Sequence, residues 1–484
     1  MCSAQCVVRR GVTVLAVAGG VLFQGSLSAQ DGVGRRIGEL MEASDVPGLQ
    51  LTVIEDGALG WTRGYGVRSS DTMEPVDEET VFEAASLSKP VFAYVILQMV
   101  DAGVLDLDRP LVEYYEYQDL AHDDRTAQVT ARLVLSHSSG LPNWRPRGED
   151  LDYVHEPGTE FQYSGEGFVY LQRTVEHITG EPLETLARRL VFEPLAMTRS
   201  SYRWTNQPGA NVAVGHGVDG SPREKNEVGD GANAAWSLHT TTSDYGRFLL
   251  AVILGRRLSD SLRAAMVSPQ TDVEAGVQWG LGVGLEDGGD RGVALWHWGH
   301  NGGYRAFVLG YPAGGSGLVM FTNSDNGMLL LADLLEAVAE ADHPSVAWLD
   351  YESWDAPARL VRLDLEQVIR AEGIDAGIAR YRSLRHEEPP EAFEEGMLNA
   401  LGYSLLRADL VREATIVFQM NVAQYPAASN PYDSLGEAYF VAGDYPRALE
   451  NYRRSVRLNP ANANGVMMIE RVRKAMREAA STPS

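Results

Sequence analysis

Ser86 and Lys89 stand three residues apart in the run Ala85-Ser86-Leu87-Ser88-Lys89. On a helix, positions i and i+3 share a face, so this hydroxyl and this amine can meet. A serine hydroxyl is a poor nucleophile until a neighbouring base takes its proton, and a buried lysine with a lowered pKa can do so. The chain holds only three lysines, Lys89, Lys225 and Lys474, among 41 basic residues, so a lysine at this spot carries information. Arginine, which the chain otherwise uses, cannot give up its proton at accessible pH. Two further groups stand out. Tyr163-Ser164-Gly165 follows the turn signal Glu156-Pro157-Gly158, and His300-Asn301-Gly302-Gly303 follows a strand-like run containing Trp296 and Trp298.

Ser-x-x-Lys, a tyrosine triplet about 75 residues on, then a Lys/His-x-Gly strand: this order resembles the serine β-lactamase and penicillin-binding superfamily. The similarity is greatest to the class C branch, with its related esterases, D-amino-acid peptidases and DD-peptidases. Other stretches carry it too. Val100-Asp-Ala-Gly-Val-Leu-Asp-Leu107 looks like the exit of the nucleophile helix, and Leu135-Ser-His-Ser-Ser-Gly-Leu-Pro142 like the segment before the tyrosine. Phe192-Glu-Pro-Leu-Ala-Met197 looks like the family's Pro-Leu-Gly-Met turn, and Phe321-Thr-Asn-Ser324 like its last core strand. The resemblance implies roles. Ser86 would be acylated, and Lys89 and Tyr163 would share proton movement between attack and leaving-group departure. The N–H groups of Ser86 and Gly303 would form the oxyanion hole, with Asn301 and Gly302 lining the substrate beside it. His300 would replace the usual lysine of that strand, with a charge that depends on pH near neutrality.

One departure bears on substrate. The class C triplet ends in asparagine, whose amide grips the substrate's acylamide, whereas this chain has Gly165. Recognition of penicillin-like amides is thereby put in doubt, and a glycine here also admits a positive φ. His137 reads as a structural hydrogen-bonder. His297 and His300, three apart on a strand, point to opposite faces, so no shared metal is expected, and no cofactor is implied.

These residues need elements to position them. Val46 to Arg68 alternates apolar and polar residues around Glu55-Asp56-Gly57, which predicts a hairpin. A helix is predicted from Ser86 to a stop at Gly103. Strand-like runs return at Gly276–Leu285, Val293–Trp298, Tyr304–Tyr311 and Gly317–Asn323. Sheet segments flanking a long helical insertion predict one α+β domain whose first and last strands pair. Expected is a β-lactamase-like domain, an antiparallel sheet flanked by helices plus a helical lobe, followed by an all-α tail.

In that tail a repeat recurs at a spacing of 34: Leu401/Leu435, Gly402/Gly436, Ala408/Ala442, Ala414/Ala448, Phe418/Tyr452 and Pro426/Pro460. The small–small–aromatic–Pro order looks like tetratricopeptide repeats, which need stacked neighbours. The expected division is a signal peptide over 1–29, a hydrolase domain over 30–345, a helical connector over 346–395 and repeats over 396–476.

The 484 residues are 44% hydrophobic, enough for a sizeable core, and 66 acidic residues against 41 basic give a net charge of −25. No basic footprint for nucleic acid exists. Arg9 and Arg10 precede an apolar run, Val12 to Phe23, that ends in Ser26, Ser28 and Ala29, which reads as a secretory signal. The run is shorter than a membrane span. Both cysteines, Cys2 and Cys6, lie upstream of it, so the mature chain would hold neither disulfide nor thiol. The expectation is an exported serine acyl hydrolase, periplasmic or extracellular, with no transmembrane segment. Its substrate would be a small ester, amide or D-amino-acid peptide, and a protein partner could dock on the tail. An esterase or D-amino-acid peptidase leads; a DD-carboxypeptidase or weak β-lactamase is the alternative. The contrasting class is a catalytically silent binding protein.

Overall fold

The computed structural model describes residues 27–146, 148–203, 210–223, 231–274, 276–339 and 343–481. The expected leader lies outside these residues apart from Leu27–Ala29, which open the first helix, and Lys225 lies outside them as well. Two compact units are present. One is built mainly from Val46–Ser324 and the other from the residues beyond Asp342, with the short segments Ala43–Asp45 and Asp325–Asp333 grouped with the second.

The first unit centres on an antiparallel sheet. Its strands are β1 (Gly48–Glu55), β2 (Ala58–Gly66), β5 (Thr271–Glu274), β6 (Val277–Trp279), β7 (Gly284–Asp287), β8 (Val293–Asn301), β9 (Tyr304–Tyr311) and β10 (Ser316–Thr322). Their order is β2-β1-β10-β9-β8-β7-β6-β5. The first hairpin forms as its alternation predicts, and β1 pairs with the last strand, Leu49 opposite Thr322, so the chain's two ends of sheet close on each other. A separate two-stranded sheet joins β3 (Phe82–Ala85) to β4 (Leu238–Thr240).

Helices of this unit are α1 (Leu27–Ala43), α2 (Ser88–Asp101), α3 (Ala131–Leu135), α4 (Gly165–Thr179), α5 (Leu183–Ala187), α6 (Thr242–Ile253) and α7 (Asp260–Met266). Helix α2 is apolar nearly all round and buried from Ser88 to Leu97, as befits a helix that runs through a core rather than along its surface. Helix α6 packs on β1, β2 and β10. Gln50 and Thr52 of β1 are buried yet satisfied there: Gln50 Oε1 accepts from Thr242 N–H at 2.6 Å, and Thr52 Oγ1 bonds Thr242 Oγ1 at 2.8 Å. Buried polar groups on a covered strand have to be paired in this way.

After α8 (Leu331–Ala339) and α9 (Pro344–Leu349), the second unit is all helical. It comprises α10 (Pro357–Glu372), α11 (Ile374–Glu387), α12 (Glu395–Arg407), α13 (Val411–Gln424), α14 (Asn430–Val441), α15 (Tyr445–Leu458) and α16 (Ala463–Ser481). Neighbours in this series pack as pairs, and the 34-residue recurrence has a geometric meaning. A Cβ built on Gly402 would lie 2.4 Å from the Phe418 ring, and one on Gly436 would lie 3.1 Å from the Tyr452 ring. Each pair therefore meets where a glycine lets an aromatic approach the opposing backbone. Ala414 and Ala448, the repeated small residues of the second helices, are both fully buried. Tyr403 donates across 34 residues to Glu437 Oε2 at 2.9 Å.

Candidate active site

Ser86 sits between a strand and a helix. β3 ends at Ala85, which takes the left-handed φ of +50°, and α2 begins three residues later at Ser88. A non-glycine residue in this region is strained, and strain of this kind persists where the surrounding structure over-determines it. The sharp turn lifts one side chain out of the core. From Val81 to Leu97 every residue is buried except Ser86. The helix starts slightly later than the sequence predicts, with Leu87 as its N-cap. Its first turn is tied down by hydroxyls: Tyr245 donates to Leu87 O at 3.1 Å, Tyr202 to Ser88 O at 2.6 Å and Ser88 to Ala85 O at 2.6 Å.

Lys89 lies one turn along, 1% exposed. Its Nζ donates to Ser86 Oγ at 3.2 Å and to Ala235 O at 2.9 Å, and rests 4.6 Å from the centre of the Tyr163 ring. It forms no ion pair among the described residues. Burial without a counter-charge disfavours the ammonium form, and the Lys89 amine is pulled down from 10.5 to about 7. An amine so placed can hold or take the serine proton near neutrality.

Tyr163 reaches the same point from the other side. His137 positions it: buried and at a φ of +54°, His137 accepts the Ser164 N–H on Nδ1 at 3.0 Å, and its carbonyl accepts the Gln162 N–H at 2.6 Å. The imidazole stacks on the Tyr163 ring at 4.2 Å between centres. Burial first, then the nearby Lys89, pushes His137 well below its ordinary range and holds the ring neutral. Ser164 caps α4, accepting the Gly167 N–H at 2.9 Å.

The strand beside the nucleophile corrects the sequence reading. β7 pairs with β8 only as far as Gly284 opposite Trp296. Beyond that point Gly299 lies against the β3 turn; a Cβ there would be 2.4 Å from Ala84 O and 3.2 Å from Ala85 Cβ. So the amides of Gly299 and His300 border the turn that carries Ser86. Gly302 and Gly303 form the tip of the β8–β9 hairpin, and Gly303 packs on Gly215 and His216 instead. The expected amide partner of Ser86 is therefore displaced by three residues.

The histidine changes likewise. His300 is exposed, whereas His297 is fully buried, with its ring centre 6.2 Å from that of Tyr163. His297 Nδ1 bonds Trp298 O at 2.8 Å, which leaves Nε2 as an acceptor, and Nε2 has no hydrogen-bond partner among the described residues. Burial, and secondarily Lys89, pulls this imidazole down to about 3. Asn301 is used in support: its Nδ2 donates to Glu83 Oε2 at 2.9 Å. The sequence contains a second His-x-Gly, His297-Trp298-Gly299, and the two frames differ by three residues. Strand alternation and the extent of β7 select the frame that begins at His297. Ala235, whose carbonyl holds Lys89, had no sequence signal at all.

Gly165 is also corrected. Its φ is not positive, and the space beside it is filled, since a Cβ would lie 2.6 Å from Cη2 and Cζ2 of Trp144. No group of three or more His, Cys, Asp or Glu side chains among the described residues is placed to hold a metal. No described helix is long and apolar enough to cross a membrane.

The Beta-lactamase family model matches residues 33–343. The chain belongs to this family. Penicillin-binding protein 4 of Amycolatopsis lactamdurans is 26% identical over 337 residues, covering 62% of this chain and 86% of that protein. Protein flp of Staphylococcus aureus (strain N315) is 23% identical over 198 residues, 37% of this chain. The match spans 40% of that relative's length. Among solved structures, the D-alanine carboxypeptidase AmpC from Burkholderia cenocepacia superposes with a TM-score of 0.57 at 21% identity. The superposition covers 65% of this chain and 99% of that one, and it shows the fold alone. The family match covers the first unit and stops short of the helical repeats.

Proposed function

We propose that this Beta-lactamase family protein is an exported serine acyl hydrolase that works through an acyl-enzyme on Ser86. One observation carries the reading. The one side chain not fully buried along the strand-turn-helix from Val81 to Leu97 is a serine, and it accepts a hydrogen bond from a buried lysine that has no counter-ion among the described residues. Neutral Lys89 takes the serine proton as Oγ attacks the substrate carbonyl. The negative charge gathers on the carbonyl oxygen, facing the amides of Ser86 and of the Gly299–His300 stretch. Amide donors aimed at such an oxyanion are a large catalytic contribution. Lys89 and Tyr163 then pass the proton to the leaving group, and water enters by the reverse route. His297, neutral and fully buried, packs its ring among those of Tyr163, Trp279 and Trp298 behind the reacting groups.

Within this chemistry an esterase or D-amino-acid peptidase leads. Gly165 supplies no side-chain amide, and the Trp144 ring occupies the space where one would extend. A site without the partner group discriminates weakly for the substrate that needs it. The likeness to Penicillin-binding protein 4 supports DD-carboxypeptidase as the second reading. The repeated helix pairs of the second unit fit a tetratricopeptide-type surface for a protein partner.

The test is covalent. A fluorophosphonate should add one label per chain, on the peptide carrying Ser86, and Ser86→Ala should abolish it. Activity on a panel of p-nitrophenyl esters, D-amino-acid amides, D-alanyl-D-alanine peptides and a chromogenic cephalosporin ranks the substrate classes. Labelling unchanged in Ser86→Ala overturns the assignment.

A further inference from the structure

We propose that Trp144 forms the wall of a substrate subsite that takes a flat apolar group, so that this enzyme prefers substrates bearing an aryl substituent. The inference rests on the acyl-hydrolase reading above and specifies its substrate class.

Trp144 is 45% exposed, a large aromatic ring open to solvent. Its indole edge lies on Gly165, two residues beyond Tyr163. The segment that carries it is clamped on both sides. Asn143 O accepts the Gly165 and Glu166 N–H groups at 3.0 and 3.1 Å, and Asn143 Oδ1 accepts Gly165 N–H at 3.1 Å. Arg145 donates from its backbone and from Nε to Glu166 Oε1, each at 3.2 Å, and its guanidinium also bonds Asp119. Glu166 is itself buried. A Trp held by its neighbours' bonds loses little conformational freedom when a ligand arrives, and rigid aromatic rings make effective contact surfaces for that reason.

Gly165 supplies the second argument. Its backbone does not need glycine, because its φ is not positive, and it opens α4, where other residues fit better. What the missing side chain permits is the seat of the indole: any Cβ would meet two ring carbons at 2.6 Å. Glycine at the third place of the tyrosine triplet thus serves to hold the ring at the rim of the site.

Two matched pairs of esters test this. Phenylacetate against acetate as p-nitrophenyl esters places the aryl group on the acyl side. Benzyl acetate against ethyl acetate places it on the alcohol side. The readout is the kcat/KM ratio within each pair, in wild type, Trp144→Ala and Gly165→Ala. Gly165→Ala keeps the tryptophan but drives it from its seat. Fluorophosphonate labelling of Ser86 reports that each variant keeps an assembled site. The aryl preference should fall about tenfold in one pair in both variants, the size expected when an aromatic contact is lost. Which pair changes identifies the side that the subsite serves. If the wild type cleaves the esters but both ratios stay within twofold in both variants, the subsite is overturned and the hydrolase reading stands. If no ester is cleaved and Ser86 takes no label, the hydrolase reading fails and the subsite with it.

Discussion

Lys89 carries the most exacting prediction, because its chemistry follows from burial alone. The amine is drawn from 10.5 to about 7 with desolvation as the cause, and the two imidazoles nearest it are held neutral by burial in turn. A profile of kcat/KM against pH for p-nitrophenyl acetate between pH 5 and 9.5 should therefore show one acid limb, centred near 7, that belongs to Lys89. At pH 5, two units below, the neutral amine is about 1% populated, so turnover should sit about 100-fold under its plateau. Lys89→Arg should be nearly inactive throughout, because guanidinium keeps its proton.

The same shift has a stability consequence of defined sign. Between about pH 7 and 10.5 the unfolded lysine holds a proton that the folded one has released, so folding stability rises with pH across that window. Below pH 7 both states are protonated and the cost of the buried charge is fully present, up to roughly 5 kcal/mol at 1.36 kcal/mol per unit. Lys89→Met should then raise Tm at pH 6 by several degrees and by much less at pH 9.5. An activity limb centred near 10, or a Tm gain that does not shrink with pH, would falsify the burial argument.

Three further outcomes follow from the geometry. His297→Ala should lower ester kcat/KM at least about tenfold, with His300→Ala within threefold because its backbone amide survives; the reverse order would restore the frame starting at His300. Gly165→Asn should not create cephalosporin turnover, and it should lower stability by about 1–3 kcal/mol through overpacking against Trp144; a gain of turnover in that single variant would mean that the indole moves aside freely. In the helical unit, Gly402→Ala, with 2.4 Å to the Phe418 ring, should destabilise more in urea unfolding than Gly436→Ala, with 3.1 Å to the Tyr452 ring. Equal midpoints would show that the two helix pairs relax alike.

The sequence by itself determined what depends on short-range spacing. Ser86 and Lys89 meet because the turn that carries Ser86 leads directly into the first turn of α2, with the Lys89 N–H on Ser86 O at 3.0 Å, and the first hairpin forms because its apolar residues alternate around Asp56-Gly57. The small residues recurring at 34 fall at the same contacts in successive helix pairs, since one unit of structure repeats with one unit of sequence. Order along the chain also carried the α+β class and the closure of the sheet by its first and last strands. Tertiary structure decided everything that turns on which face is covered. Two His-x-Gly frames three residues apart read equally well, and only the end of β7 opposite Trp296 and the packing of Gly299 on Ala84 choose between them. Residues three apart on a strand point to opposite faces, so an error of one frame exchanges a buried histidine for an exposed one. Trp144 and Gly165 lie 21 positions apart with no periodic relation, and the lowered pKa of Lys89 depends on rings and a carbonyl drawn from Tyr163, Phe168 and Ala235. Contacts of that separation leave no local pattern, because chain folding rather than residue spacing brings them together.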